Sequence, residues 1–274
     1  MLRPFLDPAL PVLWRAPGHV QVGLDPRHAR ALADAPAHTP ALLSLLTGTS
    51  TWEALQHQAR PLRGESTLRR LVGLLQAAGM LQDGAPASRW EHAWVEVVGA
   101  GTAARTVADA LRAAGVGRVT RRDTPVAPGP DLVVVAAAHG RRMDLSDGLV
   151  ASGTAHLWCH VRDGRAVVGP LVRPGRTSCL RCHDLHRTDS DPVWPRLALT
   201  WEEQPMAPGA AAATLAGVLS ARQTLAWLLG RSCATVDGTL EEQPDGGFLR
   251  QEWTPHPGCG CSWPDGGSID HGAV

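Results

Sequence analysis

Two close pairs of cysteines constrain this chain more than any other feature: Cys179 and Cys182 in SCLRC, and Cys259 and Cys261 in PGCGC. Two thiols with two residues between them can reach one metal ion from a single tight turn. Four thiolates in two such pairs satisfy a tetrahedral structural zinc site with no open position. The fold must then bring together two segments with 76 residues between them (259 − 182 − 1). The second pair has one spacer residue, which works sterically if Gly260 takes a backbone conformation open mainly to glycine. The alternative is four reduced thiols holding no metal. Both pairs lie in Pro/Gly-rich sequence expected to form loops, which favours the metal. Cys159 in AHLWCHV and Cys233 in RSCATV sit in apolar, strand-like runs and read as buried core residues.

A chain of 274 residues can build one large or two modest domains. Its formal net charge of +0 argues against a nucleic-acid or anionic-membrane partner. No signal peptide is expected, and no apolar run approaches the roughly 18 residues of a membrane span. The expected compartment is the cytoplasm, where paired cysteines bind metal more often than they form disulfides. The sequence contains no lysine, so any mechanism that needs one is excluded.

Residues 1–83 read as a small α+β module. Val12–Arg15 and Val20–Gly23 alternate around Pro17-Gly18 as a β-hairpin, and a third short strand is expected over Arg30–Asp34. Thr39 and Pro40 open an apolar helix that should stop at Gly48; Ser50 and Glu53 form a capping box for a second helix. A third follows Gly64, with Leu68, Leu71, Val72 and Leu75 on one face. Strands with three short helices make a winged-helix-type module. Such modules read DNA or capture an extended peptide along a sheet edge. The third helix offers only Arg69 and Arg70 to phosphates, which disfavours DNA.

Residues 84–89 read as a linker. Trp94–Val98 is a strand running into Gly99-Ala100-Gly101-Thr102-Ala103-Ala104 and a helix, and Asp123 follows Gly101 by 22 residues (123 − 101). This is the nucleotide-binding fingerprint: glycines let the backbone approach phosphates at a helix N-terminus, and the acid receives a ribose hydroxyl. Only the seven residues 124–130 precede the next strand, Asp131–Val135, too few for a helical crossover. The chain is therefore expected to cross, extended, to the far side of the first strand. Ala155–Val161 and Arg165–Val168 read as a hairpin turning at Asp163-Gly164, and Ala210–Leu229 as a helix with Leu215, Val218, Leu219, Ala226 and Leu229 inward. Residues 263–274 read as a flexible tail.

In their order, the glycine turn, GVGRVTRRD, DLVVVA, PLVRPGRTSCLRC and the closing CGC resemble the ThiF/MoeB family, adenylyltransferases related to ubiquitin-activating enzymes. The likeness spans residues 90–262. LLTGTSTWEAL, in its setting, resembles the PqqD-like precursor-peptide recognition domain. Joined, the two resemble the leader-binding or cyclodehydratase-partner proteins of azole-forming ribosomal peptide pathways. The resemblance implies an α/β chain: a winged-helix-type module, then a truncated Rossmann-like domain with structural zinc on the four cysteines. It places Gly99, Gly101 and Ala104 at phosphates, Asp123 at ribose, and the domain in a homodimer. It places a leader peptide between the strand carrying Arg30, Leu32 and Asp34 and the helix carrying Leu68, Arg69 and Val72.

Active members of the family use an arginine and a lysine after the ribose acid, and an aspartate after the third strand to hold magnesium. Here no lysine exists, and DLVVVAAAH offers alanine and His139 instead of the aspartate. ATP and magnesium are therefore doubtful cofactors, and the expected function is a non-catalytic leader-binding scaffold for a separate modifying enzyme. An active adenylyltransferase and a nucleotide-sensing winged-helix regulator are the alternatives. His183 and His186 could ligate a metal with Asp184 or Asp189, but read first as groups supporting the zinc loop.

Overall fold

The chain folds as two units, residues 1–89 and 90–274, and the computed structural model describes residues 2–85, 90–124, 129–137, 142–203 and 209–261. The tail over 263–274, His139 and most of the linker lie outside the described residues.

In the first unit Pro4–Leu6 (β1) runs antiparallel to a strand at the unit's other end. Val12–Ala16 (β2) and His19–Val22 (β3) form the hairpin, with Gly18 at φ +74° in the turn. Arg30–Leu32 (β4) pairs antiparallel with β3 and forms one edge of the three-stranded sheet. Helix α1 covers only Thr39–Leu43. The following residues leave the helix to bond β1: Leu46 accepts from the Leu6 amide at 2.8 Å, and Gly48 donates to Pro4 at 2.9 Å.

Helix α2 is Trp52–Ala59, and its cap is Thr51, not Ser50. The Thr51 hydroxyl accepts from the Ala54 amide at 3.3 Å. Helix α3, Glu65–Ala77, buries Leu68, Leu71, Val72 and Leu75 as its period requires. Leu81–Asp83 (β5) then returns to β1. The core of the unit is leucine-rich, with Leu42, Leu46, Leu55 and Leu75 among its most buried residues.

The second unit is organised by one seven-stranded sheet. Trp94–Val98 (β6), helix α4 (Thr102–Ala113) and Arg118–Arg122 (β7) form a parallel strand–helix–strand unit. Leu132–Ala136 (β8) pairs parallel with β6 on the side away from β7, so the chain does cross to the far side. No helix intervenes among the described residues. Helix α5 (Met143–Ala151) leads to His156–Arg162 (β9), parallel to β8. Asp163 and Gly164, at φ +52° and +74°, turn the chain into Arg165–Val172 (β10). β10 runs through Gly169 and Pro170, longer than Arg165–Val168.

Helices α6 (Leu180–Ser190), α7 (Trp194–Glu203) and α8 (Ala210–Leu228) follow, then Gly238–Glu242 (β11) and Phe248–Glu252 (β12). The strand order is β12-β11-β10-β9-β8-β6-β7, with the last three antiparallel pairings joining β9, β10, β11 and β12.

One sheet face packs α4 and α8, and the other packs α5 and α6. Of the expected inward residues of α8, Leu215, Leu219 and Ala226 pack against the core, half-buried, but the most deeply buried face is made of small residues. Ala212, Ala213, Ala216, Gly217, Ser220, Ala221 and Thr224 are buried, whereas Val218 is 43% exposed. Close approach is the reason: a Cβ on Gly217 would lie 2.7 Å from Thr106 Cβ and 2.8 Å from the Ala103 carbonyl oxygen. No helix among the described residues is long and apolar enough to cross a membrane.

Candidate functional site

The sheet delivers the first cysteine pair. β10 ends at Val172, and the next turn is fixed by Thr177, whose hydroxyl accepts from the Arg173 amide at 2.7 Å. Asp237 accepts from the Ser178 amide at 2.7 Å, which sets the start of α6. Cys179 is the N-cap of α6 and Cys182 lies in its first turn, so this pair sits on a helix terminus and not wholly in a loop. That position favours thiolates, because the unpaired amides there carry partial positive charge. The second pair arrives after β12, with Gly260 at φ +73°, the left-handed conformation its one-residue spacing required. The Gly175 amide bonds the Cys261 carbonyl at 3.1 Å and ties the two segments together.

The four sulfurs converge. Cys179 and Cys182 are 3.8 Å apart, Cys179 and Cys259 3.6 Å, and Cys182 and Cys261 3.2 Å. Zinc–sulfur bonds of about 2.3 Å in a tetrahedron place sulfurs roughly 3.8 Å apart, so the set fits a zinc-like ion with small adjustments. All four ligand atoms lie within 4.8 Å of one another, and three of the four residues are buried. Hydrogen bonds from Cys179 and Cys261 hold the Cys182 thiol well below its ordinary range, while bonding to Cys182 pushes Cys179 up. A cation held by the four sulfurs would displace the protons they carry. Elsewhere, burial raises Cys159 to about 11 and also raises Cys233, consistent with inert core thiols.

The glycine turn forms a second site. A cleft of about 190 Å³ is lined by Val98, Gly99, Ala100, Asp123, Val135, Ala136, Ala137, Arg142 and Leu145. Gly99 and Asp123 therefore meet, Gly101 caps α4, and Ala104 is buried beneath the turn. Gly99 has an architectural reason of its own: at φ +135° a Cβ would collide with the Ala136 carbonyl oxygen.

Two arginines flank the cleft. Arg105 donates to the Ala100 carbonyl at 3.2 Å and to the Thr102 hydroxyl at 3.0 Å. Arg142, in the left-handed region at φ +44°, pairs with Asp144 at 2.9 Å. Neither stands out in sequence, since the fingerprint marks only glycines and an acid. Asp123 is the one carboxylate among the described lining residues.

In the first unit Leu32, Leu68 and Val72 are 7%, 0% and 5% exposed and belong to the core. Arg30, Asp34 and Arg69 are exposed at the surface. The link between strand and helix is Arg70, which donates to the Ala33 carbonyl at 2.5 Å and to the Asp34 carbonyl at 3.4 Å. Sequence spacing marks Arg70 only as a basic residue on an exposed helix face.

This architecture defines an α/β protein with a Rossmann-type strand–glycine turn–helix, a closed four-cysteine centre and a smaller α+β unit before it. Known structures share the fold. The chain is similar to E. coli MccB with AMPCPP and SeMeT MccA at TM-score 0.60 and 14% identity, covering 95% of this chain and 99% of that one. It is similar to a heterocyclase in complex with substrate and cofactor at TM-score 0.65 and 15% identity, and to the heterocyclase TruD at 0.62 and 16%. Each covers 96% of this chain, which spans 40% and 43% of those longer chains. No protein-family model matches the sequence, and no curated protein matches it.

Proposed function

We propose that the chain is a non-catalytic leader-peptide-binding scaffold that presents a ribosomal precursor peptide to a separate modifying enzyme. The observation that carries this reading is the chemistry of the cleft beside Gly99. Its described lining is largely apolar with one carboxylate and one guanidinium, Arg142, which is already paired with Asp144 at 2.9 Å, and Ala136 and Ala137 stand where the family resemblance places a magnesium ligand. Transfer of a nucleotidyl group needs preorganised charge around the phosphates. The absence of lysine from the sequence removes one such charge. Likeness to MccB and to heterocyclases over nearly the whole chain supports a place in ribosomal peptide modification.

In this reading residues 1–83 are a PqqD-like winged-helix module, and 90–262 are a ThiF/MoeB-like domain that docks the partner enzyme. The peptide adds a strand to the edge of β4 beside α3, where backbone hydrogen bonds supply affinity and side chains supply selectivity. Arg30, Asp34 and Arg69 contact it, while Leu32, Leu68 and Val72 shape the groove from beneath. Zinc on the four cysteines is structural. The homodimer belongs to the same reading, supported by Leu197 and Leu199, which are 51% and 64% exposed on α7. Fluorescence anisotropy with labelled short peptides encoded beside the gene tests it. Saturable binding that weakens in Arg69→Glu is expected, and failure of every such peptide to bind would remove the reading.

A second reading, an active adenylyltransferase, is favoured by Arg105, which bonds the glycine turn, and by Arg142, which lines the same cleft as Asp123. Calorimetric titration of ATP with magnesium separates the two readings at the level of binding. No heat at millimolar nucleotide leaves the scaffold. Saturable heat that is lost in Asp123→Ala makes the cleft a working nucleotide site.

A further inference from the structure

We propose that His186, Asp189 and His256 form a second metal site, open to solvent, that takes a first-row divalent cation such as cobalt, nickel or zinc. It is distinct from the four-cysteine centre and independent of the peptide-binding reading. His186 and Asp189 are three residues apart on α6, so one helix face presents both. His256 comes from the segment that leads into Cys259. One ligand atom from each residue lies within 4.8 Å of the others.

The geometry is partly set already. His256 Nε2 and Asp189 Oδ2 are 2.9 Å apart, and the two imidazole rings meet edge to face with centroids 4.8 Å apart. Nitrogen and oxygen ligands about 2.1 Å from one ion lie roughly 3.4 Å apart, so the third ligand needs a movement of about an ångström. His186 Nε2–H donates to the Thr254 carbonyl at 2.9 Å, the kind of backbone bond that orients a ligating histidine. Two imidazoles and one carboxylate suit zinc, nickel and cobalt better than calcium or magnesium.

Three protein ligands leave a position free. A cleft of about 700 Å³, lined by His186, Asp189, Trp194 and Trp253 among others, borders the cluster and can deliver water or a small ligand to that position. The proton balance predicts the strength of the site. Without metal, the Gly258 amide donates to His256 Nδ1 at 3.0 Å, so the ring's own proton sits on Nε2 and bonds Asp189. A cation takes the place of that proton, and the neutral ring moves its proton to Nδ1 and gives up the Gly258 bond. Binding is therefore weaker than at the four cysteines. It is also coupled to the backbone one residue before Cys259.

Zinc-loaded protein at one equivalent per chain, cleared of excess metal, is titrated with cobalt(II) and followed by calorimetry and visible absorption. The expected result is one further equivalent, with ligand-field bands and no sulfur-to-cobalt charge-transfer band. In His186→Ala and Asp189→Asn its affinity falls at least tenfold, while zinc content stays at one. Asp189→Asn keeps an acceptor for His256 and controls for simple loss of structure. A count that stays at one metal in the wild type overturns the proposal whatever the variants do. A second equivalent that persists undiminished in both variants also overturns it.

Discussion

Replacing Cys261 with serine should unfasten the second unit. Cys261 is 8% exposed, its sulfur lies 3.2 Å from that of Cys182, and among the described residues only the four cysteines converge on this point. A metal on the four sulfurs would join Cys179 to Cys259 across a separation of 80 residues. Treated as a cross-link on the unfolded chain, closure of such a loop is worth about 4.5 kcal/mol at 25 °C. For a unit of this size each kcal/mol moves the melting temperature by roughly 2–4 °C, so the shift should be on the order of 9–18 °C. Thermal unfolding of the full chain by tryptophan fluorescence measures it, with zinc counted in parallel. Trp253 stacks on His183 with centroids 4.5 Å apart, next to α6, and reports locally. Cys233→Ser is the control: whatever its core position costs, it should leave zinc content unchanged. Metal binding requires four thiolates, so metal loss to a chelator should quicken as pH falls from about 7.5 to 5.5. If the zinc-free variant melts within about 2 °C of zinc-loaded wild type, the staple argument is wrong.

His156 is fully buried, with Nδ1–H on the Thr154 carbonyl at 2.8 Å and no partner for Nε2 among the described residues. Burial holds its pKa at about 4 against 6.5 for the free side chain. The unfolded chain therefore binds the proton first. Stability from this residue is full above pH 6.5 and falls by up to about 3 kcal/mol as pH drops toward 4. His156→Phe should flatten that acid limb in denaturant titrations. An unchanged limb would assign the acid sensitivity to other groups. Gly99→Ala should cost at least about 2 kcal/mol with no nucleotide present, because the new Cβ meets the Ala136 carbonyl at positive φ; a wild-type melting temperature would contradict this. In the first unit, Leu68→Ala should cost about 2–5 kcal/mol in urea unfolding. Arg69→Glu should leave stability within about 0.5 kcal/mol and weaken peptide binding severalfold. The reverse pattern would mean that Arg69 is structural.

Where local chemistry decides an element, the sequence was enough to place it. Asp163-Gly164 marks the β9–β10 turn, alternation marks the β2–β3 hairpin, and the glycine turn marks the junction of β6 and α4. The short segment over 124–130 even dictated that β8 lies beyond β6. Cysteine spacing brought the four sulfurs together and foretold the left-handed Gly260. What escaped depends on distant contacts. β1 and β5 are three residues each and exist because they pair with one another from opposite ends of the unit. The cap at Thr51 displaced Ser50, and α8 turned its alanines inward because helix–helix approach outweighed side-chain hydrophobicity. Helix α6, polar and rich in histidine, has no apolar period to announce it. Asp189 and His256 are 67 residues apart, so only the fold reveals their contact.

Pyrophosphate–ATP exchange tests the central claim most directly, run with magnesium and with a precursor peptide shown to bind the full chain. A scaffold without catalysis predicts exchange at the no-enzyme background, equal in wild type and Asp123→Ala, while peptide binding persists. Peptide-dependent exchange that disappears in Asp123→Ala would contradict the account and make the cleft at Gly99 an active adenylation site.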